Sequence, residues 1–218
     1  MPKILGVSML SLILILASCG PLSNSQLSGS EEKPSVSVDE IPDEPSQSEL
    51  REKLESASDT EIEALISNNF HLLDVVSGDD GNANVYATRQ FTREELVSLI
   101  TEINSPDEKS EVKDNQQMLI YPNHFVTFKT SEEDNEVLLI EVASDQFVRS
   151  NYSPNYLNGF FTFLLINRML GTSSWERSRM DQCKNSSCYG GYTTQNRGGL
   201  NTNRGMSSYR GGGSSSGK

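Results

Sequence analysis

The stretch QMLIYPNHFVTFKTSEEDNEVLLIEVA, residues 117–143, determines the predicted fold of this chain. It contains three short runs rich in aliphatic and aromatic residues, separated by Pro122-Asn123 and by the polar segment 131–135. Short apolar runs bounded by turn-forming residues are typical of β-strands, and short connections favour antiparallel neighbours. The stretch therefore predicts a three-stranded antiparallel meander.

The residues before the meander predict two helices and a β-hairpin. Segments 58–61 and 92–95 both have the Ser/Thr-x-x-Glu spacing of a capping box, and apolar residues at helical spacing follow each of them. Between the two helices, the turn-forming residues 78–82 separate two strand-like runs. A polar loop is expected at residues 104–115.

The residues after the meander predict two more helices. Ser144 is expected to cap a short one, and Pro154 to begin a longer one that ends before Gly171. Segment 154–170 is apolar on nearly every side. This composition favours either the buried centre of a small domain or a helix that lies in the membrane interface or docks on a membrane partner. The segment is too short and too often interrupted by polar residues to span a bilayer.

The predicted order of elements is α-β-β-α-β-β-β-α. This order indicates a small single α+β domain over residues 58–175, with a mainly antiparallel sheet and about three helices. The flanking segments 19–57 and 176–218 contain few large apolar residues, so we expect both to be disordered, with a weakly helical extension at 48–57.

The first 18 residues have the layout of a secretory signal peptide. Lys3 places a positive charge ahead of the apolar segment 4–16, which is too short to cross a membrane as a helix. The sequence Leu16-Ala17-Ser18-Cys19 looks like a bacterial lipobox, in which a signal peptidase recognises the first three residues and the cysteine thiol is diacylglycerated. We therefore expect Cys19 to hold the mature protein at the outer face of the cell membrane. An ordinary secretory signal with a chance cysteine is the alternative interpretation.

Two of the three cysteines remain once Cys19 carries lipid. Cys183 and Cys188 have the spacing C-x4-C, for which a small local disulfide, two free thiols and metal binding are the three interpretations. A structural zinc ion needs four ligands, and the only two histidines, His71 and His124, are remote in sequence. We expect no metal ion and no cofactor.

The charge is divided along the chain. The formal net charge is -12, yet residues 168–218 carry eight Lys or Arg against two acidic residues, while residues 19–167 carry nine basic and 28 acidic residues. Segment 19–57 is therefore predicted to be an acidic tether rich in Ser and Pro, and segment 176–218 a basic tail rich in Gly, Ser and Arg. Such a division predicts different partners for the two ends.

The basic tail is a candidate for contact with anionic lipid or teichoic acid. RGG elements at 197–199 and 210–212 resemble those of RNA-binding tails, but an exported chain meets little RNA, so we expect no nucleic-acid partner. A solvated tail with no specific contact is the alternative. The candidate contact residues are Arg177, Arg179, Arg197, Arg204 and Arg210.

No pattern in the sequence is typical of an enzyme. His71 and His124 are not accompanied by the Ser, Cys or Asp residues that would indicate a catalytic triad. Segment 79–84 lacks the ligand spacing and terminal glutamate of an EF-hand and is better explained as a hairpin turn. We therefore name no catalytic residue.

Three motifs together resemble a known family. They are LLDVVSGDD at 72–80, QMLIYPNHFVTF at 117–128 and IEVASDQFVRSNYSPNYLNGFF at 140–161. With the Gly/Tyr/Ser/Arg-rich end, they resemble a family of Gram-positive bacterial lipoproteins catalogued as a domain of unknown function. The resemblance covers roughly residues 61–192 and the signal-plus-lipobox layout. It implies an envelope lipoprotein that works with small membrane proteins or stress-response factors, and it supplies no catalytic residue.

These observations lead to one expected function and two alternatives. We expect a lipid-anchored, noncatalytic envelope accessory whose domain binds a membrane-protein partner. The first alternative is a module that binds an anionic envelope polymer or lipid through the basic tail. The second is an enzyme whose site the sequence does not reveal.

Overall fold

The computed structural model describes residues 41–58, 60–171, 174–185 and 188–193. Within these ranges the helices are α1 (Gln47–Ser56), α2 (Ile62–Asn69), α3 (Arg93–Ile103), α4 (Asp145–Asn151), α5 (Pro154–Leu157), α6 (Phe163–Met169) and α7 (Trp175–Asn185). The strands are β1 (His71–Gly78), β2 (Gly81–Thr88), β3 (Glu108–Lys109), β4 (Gln116–Ile120), β5 (His124–Thr130) and β6 (Leu138–Ser144). The predicted α+β class is confirmed, with seven helices in the described part of the chain instead of about three. In the same ranges, every helix is too short or too polar to cross a membrane.

All six strands belong to one sheet with the order β1-β2-β6-β5-β4-β3, and each pairing is antiparallel. Strands β4, β5 and β6 form the predicted meander. The hairpin β1–β2 joins the meander through β2, which pairs with β6 and not with β4. Strand β3 lies inside the predicted polar loop and pairs with β4 at the far edge. The sheet order makes β6 an interior strand, with β2 paired on one side and β5 on the other.

Both faces of the sheet are covered, which makes a three-layer structure. Along β6, Ile140 and Val142 face a cluster that contains residues of α1, α2 and α3. Leu139 and Ala143 face the other cluster, which contains residues of α4, α5, α6 and α7 together with Tyr189 and Tyr192. Successive side chains of a strand point to opposite faces, so one apolar strand supplies both cores. We call the first layer of helices the α1 layer, and α4–α7 with residues 188–193 the C-terminal layer.

The two predicted capping boxes have different outcomes. Thr92 caps α3 as predicted, because its Oγ1 accepts from the Glu95 N–H at 3.3 Å and its own N–H donates to Glu95 Oε2 at 2.9 Å. The capping box at 58–61 is wrong, since α2 begins after Glu61 and no side chain caps it. A third box, which was not predicted, begins α1 at Ser46 and Glu49.

The single long helix predicted for 154–170 is also wrong. The chain forms α5, turns at Asn158 and Gly159, and starts α6 after Thr162, whose Oγ1 accepts from the Leu165 N–H at 3.4 Å. Asparagine and glycine have low helix propensity, and threonine offers a new N-cap. The predicted end is confirmed, because Gly171 follows the last helical turn with φ +67°.

The folded part of the chain extends beyond the predicted limits of 58 and 175. Helix α1 buries Leu50 and Leu54 in the α1 layer, and Tyr189 and Tyr192 are buried in the C-terminal layer. The helical extension predicted at 48–57 forms as α1, but it is docked and is not part of a disordered tether. Segment 176–193 was expected to be disordered, but its described residues belong to the fold. A few well-spaced large side chains are enough to dock segments whose average composition is polar. The rest of the predicted tether and tail, 19–40 and 194–218, lies outside the described residues.

Candidate functional site

The predicted site residues fall into two groups. The signal peptidase recognition residues Leu16, Ala17 and Ser18, the lipidation site Cys19, and Arg197, Arg204 and Arg210 all lie outside the described residues. The others lie in the C-terminal layer. Cys183 and Cys188 are joined by a disulfide, with Cα atoms 5.3 Å apart, so the bond links the end of α7 to residues 188–193. Of the three interpretations of the C-x4-C spacing, the structure shows the local disulfide.

The two arginines of α7 have different surroundings. Arg177 is exposed. The guanidinium of Arg179 donates from Nε to the Tyr152 carbonyl at 3.4 Å and from Nη1 to Gln182 Oε1 at 2.6 Å, and its Nη2 lies 3.2 Å from Cys188 Sγ. Burial lowers the pKa of Arg179, and the negative charge of Asp79 opposes this effect. Contact of these arginines with an anionic surface stays a prediction; Arg177 is exposed, whereas Arg179 is half-buried.

A polar cleft of about 510 Å³ lies between the β1–β2 turn, α4 and α7. Arg149 donates from Nε to Asp145 Oδ2 at 3.1 Å, and its carbonyl accepts from Trp175 Nε1 at 2.9 Å. The Ser150 hydroxyl donates to Asp80. None of the described lining residues is a histidine, lysine or cysteine, so the walls offer no pair of nucleophile and nitrogen base. The lining residues are Asp79, Asp80, Arg149, Ser150, Ser174, Trp175, Ser178, Arg179 and Gln182.

The two histidines lie away from this cleft. His124 begins β5, and its Nε2 is 3.2 Å from Glu63 Oε2 of α2. His71 begins β1. Among the described residues, no group of three or more His, Cys, Asp or Glu side chains is placed to hold a metal ion.

A buried carboxylate faces the C-terminal layer from the centre of the sheet. Glu141 is 3 % exposed, and its Oε1 accepts from the Tyr152 hydroxyl at 2.7 Å while its Oε2 accepts from the Tyr192 N–H at 2.9 Å. Burial raises the pKa of Glu141, and both hydrogen bonds and the charge of Lys129 oppose that rise. The Lys129 ammonium donates to Glu132 Oε1 at 2.7 Å and to the Tyr192 carbonyl at 3.5 Å.

Aromatic rings surround this carboxylate. Tyr152 meets the rings of Phe147, Tyr156 and Tyr189 with centroid distances of 6.0, 5.6 and 5.2 Å. The Tyr156 hydroxyl donates to Gln116 Oε1 at 3.1 Å. Sequence analysis missed this cluster because Glu141 stood inside an apolar strand and Tyr189 and Tyr192 stood in a predicted disordered tail. Two features of the sequence could have indicated the cluster: the single acidic residue in the run LLIEVA, and the two tyrosines spaced Y-G-G-Y.

The C-terminal layer also exposes large apolar side chains. Phe163 and Leu164 in the first turn of α6 are 46 % and 77 % exposed, while Ile166 of the same helix is buried. Ile41, the first described residue, packs against the same core cluster as Ile166. The layer that carries the exposed pair is therefore also the layer that the N-terminal tether reaches first.

Comparison with known proteins identifies a family but no activity. The chain matches the family described as "Domain of unknown function (DUF4247)" over residues 54–218. No curated protein and no solved structure matches it. The matched range begins within α1 and contains the whole sheet, the Glu141 cluster, the disulfide and the basic tail. Since the match covers more than half of the chain, the protein belongs to this family of domains of unknown function.

Proposed function

We propose that the protein is a noncatalytic envelope lipoprotein, anchored at the outer face of the cell membrane by a diacylglyceryl group on Cys19, that binds a membrane-protein partner through α6. The observation that carries the proposal is the exposure of Phe163 and Leu164 side by side at the start of this helix. We describe the partner by its chemistry: it is a membrane protein that presents an apolar surface close to the membrane.

Burial of the exposed pair supplies a driving force for binding. Covering a Phe or Leu side chain completely is worth about 1.5–3 kcal/mol, and Leu164 has most of its surface still to lose. Isolated apolar residues are common on protein surfaces, but Phe163 and Leu164 expose an apolar patch over two adjoining sides of one helix, since consecutive helical residues diverge by about 100°. Arg168, one turn later, is exposed and adds a cation beside this patch.

The position of the tether supports a partner in the membrane. Ile41 joins the C-terminal layer, and the 22 residues back to Cys19 can span at most roughly 75 Å. This distance keeps α6 within reach of proteins that protrude from the membrane surface. The proposed role is noncatalytic, since the described residues that line the polar cleft include no histidine, lysine or cysteine.

Site-specific photocrosslinking in membranes tests the proposal. A photoreactive amino acid replaces Leu164 in the full-length chain, and a matched probe replaces Glu55, which is exposed on α1 in the opposite layer. We expect a discrete membrane-protein adduct from position 164, none from position 55, and loss of the adduct in a Cys19→Ala form. Equal adducts from both positions, or adducts with lipid alone at position 164, would contradict a protein partner at α6.

A further inference from the structure

The last described segment, residues 188–193, lies across the sheet face that carries Glu141, and we call it the strap. Two backbone hydrogen bonds hold its first half, from the Tyr189 N–H to the Asn151 carbonyl at 2.8 Å and from the Ser153 N–H to the Tyr189 carbonyl at 2.7 Å. The Tyr192 N–H to Glu141 Oε2 bond holds its second half. The disulfide to Cys183 fixes its start to α7.

The strap covers a polar pocket that the sheet would otherwise expose. A cavity of about 10 Å³, close to the space of one water molecule, remains between Tyr192 and the side chains of Thr127, Lys129 and Glu141. Thr127 stands opposite Glu141 on β5, and its Oγ1 has no hydrogen-bond partner among the described residues. Because Tyr192 closes one side of this cavity, a displaced strap would leave Glu141 and Lys129 open to solvent.

The fit of the strap depends on one of its two glycines. Gly191 has φ +85°, and a Cβ at this position would overlap the hydroxyl end of the Tyr156 side chain. A Cβ on Gly190 would meet no atom within 4 Å. The two neighbours therefore form a matched pair: a methyl group at 191 pushes the strap away from the sheet, and the same group at 190 leaves it in place.

We propose that the strap is a redox-controlled cover for the Glu141 pocket. A dithiol reductant passes two electrons and two protons to the Cys183–Cys188 bond, which yields two cysteine thiols and the oxidised, disulfide form of the reductant. Removing a crosslink restores conformational freedom to the open state, so opening of the strap becomes on the order of tenfold to a hundredfold more frequent. The rest of the domain stays folded during this local opening.

Carboxyl labelling of the full-length protein tests the cover directly. Carbodiimide coupling to a small amine modifies accessible carboxylates, and mass spectrometry gives the labelling rate at Glu141 with exposed Glu55 as internal reference. We expect the Glu141 rate to rise about tenfold or more after reduction with dithiothreitol, and equally in a Cys183→Ser/Cys188→Ser variant, while the Glu55 rate does not change. An unchanged Glu141 rate in protein whose mass shows two free thiols would overturn the proposal.

Two further measurements distinguish local opening from unfolding. In the oxidised protein, Gly191→Ala is expected to raise the Glu141 rate, whereas Gly190→Ala leaves it unchanged. Amide hydrogen exchange of β5 should stay slow in the reduced protein. Equal rates in the two glycine variants, or fast exchange of β5 on reduction, would show that the strap is not a separate cover.

Discussion

The two layers that cover the sheet are built on different chemistry. The α1 layer packs mainly apolar side chains against the sheet, although α3 also buries Arg93, and two of its three helices begin at capping boxes. The C-terminal layer consists mainly of short helices, places a carboxylate against tyrosines, contains a disulfide and exposes Phe163 and Leu164. The difference indicates a division of roles: the first layer supports the sheet, and the second carries the features on which a partner or a reductant can act.

The largest effect is expected from breaking the α1 layer. Leu54→Ala removes a side chain that is fully buried, and such truncations cost about 2–5 kcal/mol of unfolding free energy. Urea denaturation measures this cost, with exposed Glu55→Ala as the control, which should remain within about 0.5 kcal/mol of the unmodified protein. Equal stability of the two variants would mean that residues 47–57 are a tether, as composition alone predicts.

The next largest loss of stability is expected from breaking the hydrogen bond between Tyr152 and Glu141. Tyr152→Phe removes the hydroxyl that donates to Glu141, so one oxygen of a buried carboxylate loses its partner at a cost of about 1–3 kcal/mol. Tyr156→Phe removes a neutral hydrogen bond to Gln116 and should cost about 0.5–1.5 kcal/mol. A larger loss from Tyr156→Phe in urea denaturation would contradict the central place of Glu141 in this layer.

The buried Glu141 beneath the C-terminal layer should also make the stability of the protein depend on pH. The pKa of Glu141 is raised above its ordinary value of 4.5, so the folded state holds the proton more tightly than the unfolded state does. This contribution to stability is complete below about pH 4.5 and is lost as the pH rises through the folded-state pKa, with a slope of at most about 1.4 kcal/mol per pH unit.

A Glu141→Gln variant cannot titrate at this position. The unfolding free energy of the variant minus that of the unmodified protein should therefore increase as the pH rises from about 4.5, whatever its value at the acidic end. Urea denaturation at a series of pH values measures the difference. A difference that stays constant with pH would show that the pKa of Glu141 is the same in the folded and unfolded states.

A smaller effect separates the two predicted capping boxes of the α1 layer. Thr92→Ala removes the cap of α3 and should cost about 1 kcal/mol. Ser58→Ala, at the box that does not form, should change stability by less than about 0.5 kcal/mol. Thermal unfolding of both variants checks the pair, and a reversed order would place the start of α2 at Ser58 after all.

The smallest effect concerns the basic residues of the C-terminal layer. Arg177→Gln should weaken binding to anionic phospholipid vesicles by at most about 1 kcal/mol at low salt, and the effect should vanish at high salt. Arg179→Gln should instead lower thermal stability, because its guanidinium is bonded within the fold. Vesicle cosedimentation measures the first effect, and salt-insensitive binding would exclude the charge-based alternative function.

Local patterns predicted most of the sheet correctly. Turn residues and short apolar runs located β1, β2, β4, β5 and β6, and the spacing of Thr92 and Glu95 located the start of α3. Predictions from average composition were less successful. Segment 47–57 is polar on average, but Leu50 and Leu54 lie one helical turn apart and dock together. Segment 154–170 is apolar on average, but Asn158, Gly159 and Thr162 divide it into two helices.

The sequence by itself determined the α+β class, the meander and the family resemblance, because strand length, turn chemistry and capping depend on residues that are close along the chain. Only the tertiary structure decided that β2 pairs with β6, that Glu141 lies under Tyr192, and that Phe163 and Leu164 remain outside the core. The first two of these features join residues 50 to 60 positions apart, and a lone carboxylate or tyrosine carries no local signal of its partner. The free energy of the whole fold, and not the preference of any one segment, selects such contacts.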